Sequence, residues 1–206
     1  MRLMERLEDL AEKEPDRVEL KKKARVTKLI KEGDAVIGIE YEQGGEQKKE
    51  FGQVILATGG YAADFSENGL LAKHRPELLH LPTTNGSYST GDGQKMVLEI
   101  QGAAIDLEKV QVHPTGLIDP NEPDAKVKFL AAEALRGCGA LLLDKDGNRF
   151  VDELQHRDFV TQKIWDLGKA KLPVRLILNG EATREIEWHC SKQTGNRLCS
   201  ITLADD

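Results

Sequence analysis

Residues 54–60 read VILATGG: four apolar residues, Val54-Ile55-Leu56-Ala57, running straight into Thr58-Gly59-Gly60. A short continuous apolar run is the pattern of a strand buried on both faces of a parallel sheet. Glycines directly after such a strand suit a place where backbone passes close to a ligand, because open α/β sheets bind ligands beyond the carboxyl ends of their strands. A plain tight turn after a buried strand explains the same residues. Working back from this stretch, ARVTKLI, AVIGIEYE and KKEFGQVILAT read as three strands, with turn signals at Glu32-Gly33-Asp34 and Gly44-Gly45. The first two alternate apolar and polar residues, as a half-exposed meander does. Residues 1–13 place Leu3, Leu7, Leu10 and Ala11 at helical spacing, and Pro15 stops that helix.

Working forward, residues 61–92 are rich in loop residues, and QKMVLEIQ (94–101) reads as a helix closed by Gly102. A strand containing His113-Pro114 follows, then an exposed acidic, Pro-containing loop over 118–127. Ala131 to Arg136 reads as a short helix or turn. Gly139–Asp144 and Arg149–Val151 read as a hairpin around Lys145-Asp146-Gly147-Asn148. Asp158–Leu167 and Glu181–Trp188 read as helices and Leu176-Ile177-Leu178 as a strand. Residues 190–206 show no convincing period. The fold class is α/β, with an inserted β-meander.

Composition narrows the function. Of 206 residues, 29 are Lys or Arg and 35 are Asp or Glu, so the net charge is −6. A mildly acidic chain without a basic block is a poor nucleic-acid binder. No apolar run approaches the ~20 residues of a membrane helix. The acidic N-terminus is not a signal peptide. Cys138, Cys190 and Cys199 form no CxxC pair, which fits reduced thiols in a soluble intracellular protein. No metal-ligand spacing is present. Gly, at 19, outnumbers all aromatics, which hints at close backbone approaches.

Two further stretches carry chemistry. Thr90-Gly91-Asp92-Gly93, preceded by Thr83-Thr84-Asn85-Gly86, leads into the 94–101 helix. Free N–H groups at a helix start attract anions, although Asp92 as a simple cap explains the motif as well. The second stretch spans Gln111 to Asp158 and gathers His113, Glu133, Arg136, Asp152, Glu153, His156, Arg157 and Asp158. His and Arg bind carboxylates, Arg by a two-pronged fork. A surface ion-pair network is the commoner fate of such charges.

In this order, VILATGGYAAD, TTNGSYSTGDGQKM, QVHPTG, EALRGCGALLLDKDGNRFVDE and RD resemble the flavoprotein subunits of the fumarate reductase and succinate dehydrogenase family, the soluble fumarate reductases above all. The likeness covers about residues 20–190. It implies part of a Rossmann-like FAD-binding domain over 1–109, lacking the GxGxxG unit, and part of an α+β capping domain over 110–206. It implies FAD as cofactor, held by Val26, by Ala57, Thr58, Gly59 and Gly60, by Thr84, Asn85 and Gly86, and by Thr90, Gly91, Asp92 and Gly93. It implies reduction of fumarate to succinate by hydride transfer from the flavin N5. Arg157 is then the proton donor, Glu133 and Arg136 resupply it, and His113, Ala132 and Glu133 meet the dicarboxylate. Ala132 departs from the family, where a Thr hydroxyl often stands. The missing GxGxxG and the unmatched stretch after Trp188 imply an internal fragment or truncated product, with an unpaired sheet edge and poor solubility on its own. The resemblance also allows for an electron-donating domain or protein as partner. Two other readings stand beside this one: a related flavoprotein acting on another enoate or a ketosteroid, and a truncated product without catalysis.

Overall fold

The computed structural model describes residues 2–119, 121–131, 133–184, 186 and 200–203. Its contacts divide the chain into two units, Met1–Thr58 with Asp92–Ala104, and Gly59–Gly91 with Ile105–Asp206.

The first unit opens with helix α1 (Arg2–Lys13), ending just before Pro15 as the spacing predicts. Strands β1 (Arg25–Glu32), β2 (Ala35–Gln43) and β3 (Glu46–Phe51) follow as an antiparallel meander in the order β1-β2-β3. Gly33 and Gly44-Gly45 take positive φ at the two turns, a conformation in which glycine meets no steric cost. Leu29 and Tyr41 are buried, while most of the other residues of β1 are exposed and most of those of β2 half-buried, the mark of a sheet covered on one face. Helix α3 (Asp92–Glu99) completes this unit, with Met96 buried.

One expectation fails here. The sheet register ends at Gly38 opposite Phe51, and 52–60 form no strand. Ile55 is 91% exposed and Leu56 42%. The reason is pairing: a parallel strand is made by neighbours that take its N–H and C=O groups, and no described strand lies beside 54–57. Apolar character alone does not hold an extended segment in place.

The second unit carries helix α2 (Leu70–His74), strands β4 (Thr115–Ile118) and β5 (Phe129–Leu130), and helix α4 (Ala134–Gly137). Strand β6 (Leu141–Leu143), helix α5 (Arg157–Leu167), and strands β7 (Arg175–Ile177) and β8 (Ser200–Leu203) follow. Residues 180–184 are helical, and the remainder of the expected 181–188 helix lies largely outside the described residues. The strands form two small antiparallel sheets, β5-β4-β8 and β6-β7. Strand β8 arises from the tail that shows no period. The expected hairpin around Asp146-Gly147 keeps its turn, but only a single bridge, Leu143 to Arg149, joins its arms. Strand β6 pairs instead with β7.

Two apolar clusters organise this unit. Leu142, Val151, Val160, Ile164 and Val174 form one, which fastens α5 to β6. Leu117, Ala131, Leu135 and Ile186 form the other, which seats α4 against β4. The first residue of α5 is Arg157, and α4 ends in Arg136-Gly137. The packing therefore sets both arginines on rigid pieces.

Candidate functional site

Arg157 is the meeting point of two cavities within the second unit. One, of about 390 Å³, is lined by Phe65, Leu81, Thr83, Thr84, Asn85, His113, Lys128 and Arg157 among others. The other, about 430 Å³, is lined by Glu133, Arg136, Gly137, Glu153, Leu154, Gln155, His156 and Arg157. The Arg157 guanidinium is ion-paired through Nη2 with Glu133 Oε1, both side chains being part exposed. The structure thus brings together Arg157, Glu133 and Arg136, three residues that the sequence groups only by order.

Arg136 is 4% exposed. Its Nη1 donates to the carbonyls of Glu153 (2.7 Å) and Gln155 (3.4 Å). Its Nε is buried and has no partner among the described residues. Burial makes this guanidinium hold its proton less tightly than usual; the Glu133 charge opposes that and the Arg157 charge adds to it.

His113 stands beside Pro114, just before β4. Its Nδ1 lies 2.8 Å from the carbonyl oxygen of Thr115. A carbonyl only accepts, so this shorter contact favours the proton of the neutral ring on Nδ1, against the longer approach of the Thr115 N–H to the same nitrogen (3.3 Å). Nε2 is buried without a partner among the described residues. Burial pulls the imidazole pKa below its ordinary value, and the Arg136 and Arg157 charges do the same, against the Thr115 carbonyl and Glu133. The bare Nε2 therefore holds a lone pair on a residue that lines the 390 Å³ cavity.

Several contributors carry no strong sequence signal. Thr115, 1% exposed, donates from Oγ1 to the carbonyl of Ala131 (2.9 Å) and so ties the His113 turn to the segment leading into α4. Thr83 is clamped by its backbone: its N–H donates to Lys126 O and its carbonyl accepts from Lys128 N–H, each at 2.8 Å. Thr161 donates from Oγ1 to the Arg157 carbonyl (2.8 Å) and lies 3.2 Å from that of Val112. Thr115 sits inside the quoted QVHPTG motif, and its place two residues after the His is the only sequence clue to it.

The residues expected to hold a cofactor fall in both units. In the first, Val26 is half-buried on β1 opposite Tyr41, and Ala57 and Thr58 lie in the exposed 52–60 segment. Asp92 and Gly93 begin α3. A Cβ on Gly93 would stand 2.1 Å from Thr58 Oγ1, 3.2 Å from its Cβ and 3.3 Å from its Cγ2. Thr58 must turn its hydroxyl away and its Cβ must give by a few tenths of an ångström before any other residue fits here. In the second unit, Gly59 has φ +74° and neither Gly59 nor Gly60 has any atom within 4 Å of the place a Cβ would occupy. Open space on the Cβ side of these two glycines fits the close approach of a flat or phosphorylated cofactor. Thr90 and Gly91 precede α3 in the sequence, and Gly91 N–H donates to the carbonyl of Gly60 (3.1 Å). Thr84 and Asn85 line the 390 Å³ cavity with His113, whereas Gly86 rests against the Tyr88 ring and does not. Ala132 lies outside the described residues. Among the described residues no helix is long and apolar enough to cross a membrane, and no group of three or more His, Cys, Asp or Glu is placed to hold a metal.

Comparison with known proteins agrees with this picture. The family model described as "FAD binding domain" matches residues 1–180. A fumarate reductase of Schizosaccharomyces pombe is 50% identical over 188 residues, covering 89% of this chain and 36% of that protein. Fumarate reductase 1 of Saccharomyces cerevisiae is 40% identical over 182 residues, covering 87% and 38%. The open conformation of a flavocytochrome c3 fumarate reductase superposes with a TM-score of 0.60 at 28% identity, over 91% of this chain and 32% of that one. The chain thus spans little more than a third of the length of the curated relatives it matches. The match over 180 residues and the motifs in their order show that the chain belongs to the FAD-binding fumarate reductase and succinate dehydrogenase flavoprotein family, whose cofactor is FAD.

Proposed function

We propose that the protein acts as an FAD-dependent fumarate reductase, with Arg157 as the proton donor. The observation that carries this reading is the placement of Arg157: it lines the cavity of His113 on one side and the groove of Glu133 and Arg136 on the other. The 50% identical S. pombe relative is itself named a fumarate reductase. Bound FAD supplies a hydride equivalent for one alkene carbon of the substrate. Backbone at 57–60 and 90–93, with Val26, Thr84, Asn85 and Gly86, would hold it. The division of the chain near residue 109 into FAD-binding and capping parts belongs to the same reading.

On the protein side, Arg157 delivers a proton to the other alkene carbon. A guanidinium normally keeps its proton, with a pKa above about 12, so the acceptor must be a carbanion-like centre. Loss of that proton is repaired through Glu133, the direct ion-pair partner, with Arg136 behind it. Cations around the substrate carboxylates stabilise the developing negative charge. Electrons come from a donor domain or protein. Anaerobic oxidation of a reduced viologen dye on addition of fumarate, with succinate as product, is the test. Full-length protein carrying this chain that binds FAD yet leaves the dye reduced overturns the reading.

His113 adds a pH signature. Its neutral Nε2 repels a carboxylate, and only the protonated ring donates to one. Substrate binding therefore takes up a proton, and affinity falls as pH rises above the free protein's depressed His113 pKa. KM for fumarate is expected to climb by up to about tenfold per pH unit over that range. His113→Gln flattens the profile; a wild-type KM independent of pH removes His113 from the carboxylate site.

The glycine start of α3 gives a cofactor test. Gly93→Ala drives a Cβ into Thr58 and is expected to weaken FAD affinity at least about tenfold, because a 1 Å displacement near a site costs on that order or more. Flavin titration followed by fluorescence reads it, and unchanged affinity places FAD away from this turn.

A further inference from the structure

We infer that Glu153 is a positioning residue for Arg136, acting through the turn that both its backbone and its side chain hold. The inference rests, for its catalytic meaning, on the proton relay proposed above.

Arg136 is buried, yet the hydrogen bonds it makes are to main-chain oxygens, those of Glu153 and Gln155. The place of its guanidinium therefore depends on where the 152–155 turn lies. That turn is braced from two sides. On one, Asp152 Oδ1 accepts from Leu154 N–H (3.1 Å), and Asp152 O from Gln155 N–H (3.2 Å). On the other, the Glu153 carboxylate is buried, 3% exposed, and bonds to Leu142 and Arg149. Its Oε1 accepts from Leu142 N–H on β6 at 2.8 Å. Arg149 closes a fork on it, Nε to Oε2 at 3.1 Å and Nη2 to Oε2 at 2.7 Å.

One residue thus joins two structures: its carboxylate bolts the turn to β6 and its carbonyl carries the relay arginine. Burial alone would raise the Glu153 pKa, but the Arg149 fork and the Leu142 N–H outweigh it and keep the carboxyl below its usual range. A buried carboxylate held ionised by a half-exposed arginine is a costly way merely to fill space, since apolar packing does that as well or better. Here it yields a defined position for a carbonyl oxygen. Arg149, 53% exposed, is the outer member of the device.

The test uses the whole chain labelled with ¹⁵N. The Arg136 side-chain Nε–H signal is identified by its absence in Arg136→Lys. In the unsubstituted protein that proton is expected to exchange slowly, because Nε is buried. Glu153→Gln keeps an acceptor for Leu142 N–H but cannot take the Arg149 fork. It is expected to shift the Arg136 signal and speed its exchange at least about tenfold, with the amides of α5 still protected. Arg149→Met, a half-exposed change that spares the fold, gives the same direction with a smaller size. Unchanged Arg136 exchange in both variants overturns the inference. In FAD-loaded enzyme, Glu153→Gln lowers kcat and leaves KM for fumarate within about twofold; a rise in KM alone also counts against it. Failure of the relay reading is separate: it shows as activity retained in Arg157→Lys, with the Arg136 exchange result untouched.

Discussion

Arg157→Lys in the full-length parent is expected to abolish fumarate reduction while leaving the flavin in place. The expected loss in kcat is about 10²–10⁴-fold, the range that positioned proton transfer contributes. Lysine keeps the positive charge, so simple attraction of a dicarboxylate survives. What it loses is shape. The guanidinium is a flat fork with donors on both sides, and in this structure it faces the His113 cavity while also pairing with Glu133. A single ammonium nitrogen on a different stem cannot meet a carbon in one cavity and a carboxylate in the other. Flavin absorbance of the purified variant checks that the cofactor remains, and dye-linked turnover checks the rate. Retention of most of the activity removes Arg157 as proton donor.

Leu142→Ala lowers unfolding stability by about 2–5 kcal/mol, the cost of a large core side chain and the cavity it leaves. Leu142 is fully buried in the cluster that includes Val160 and Ile164 of α5. Its own N–H is the group that Glu153 receives. Loss of this side chain therefore loosens both the helix that begins with Arg157 and the strand to which the Arg136 turn is tied. Denaturant titration is the measurement. The adjacent Leu141, 41% exposed on β6, provides the control: its truncation is expected to stay within about 0.5 kcal/mol. Equal effects at the two positions would mean that the cluster is not the support of α5.

Much of the local structure was legible without coordinates. The alternating residues of β1 and β2, the paired glycines at Gly44-Gly45, the helical spacing before Pro15 and the run after Gly93 each carry their own physical signal, and each forms the element it predicts, the last as a helix over Asp92–Glu99 rather than 94–101. The stretch 54–57 was not. Its apolar residues state a preference for burial but not a partner, and burial needs one; Ile55 stands exposed. Strand β8 illustrates the reverse. It forms because β4 offers it an edge, although its residues show no pattern of their own. The hairpin arms around Asp146-Gly147 were misjudged for the same reason: the turn is local, but the partner of β6 is β7, more than thirty residues away in sequence.

The site divides along the same line. Sequence by itself determined the family, because five short motifs in one order leave little freedom, and with it the residue types available: a histidine before a proline, a glutamate three residues before an arginine, and an arginine at a helix start. Only the tertiary structure decided their states. Arg157 touches Glu133 because α5 and α4 are fastened by separate apolar clusters of one unit. His113 loses its ordinary basicity because it is buried beside two guanidinium groups. Glu153, one acidic residue in a charged stretch when read along the chain, becomes the anchor of Arg136 only once Leu142 and Arg149 are brought to it. Residue identity is local, whereas burial, charge proximity and pairing are set by segments far apart in the chain.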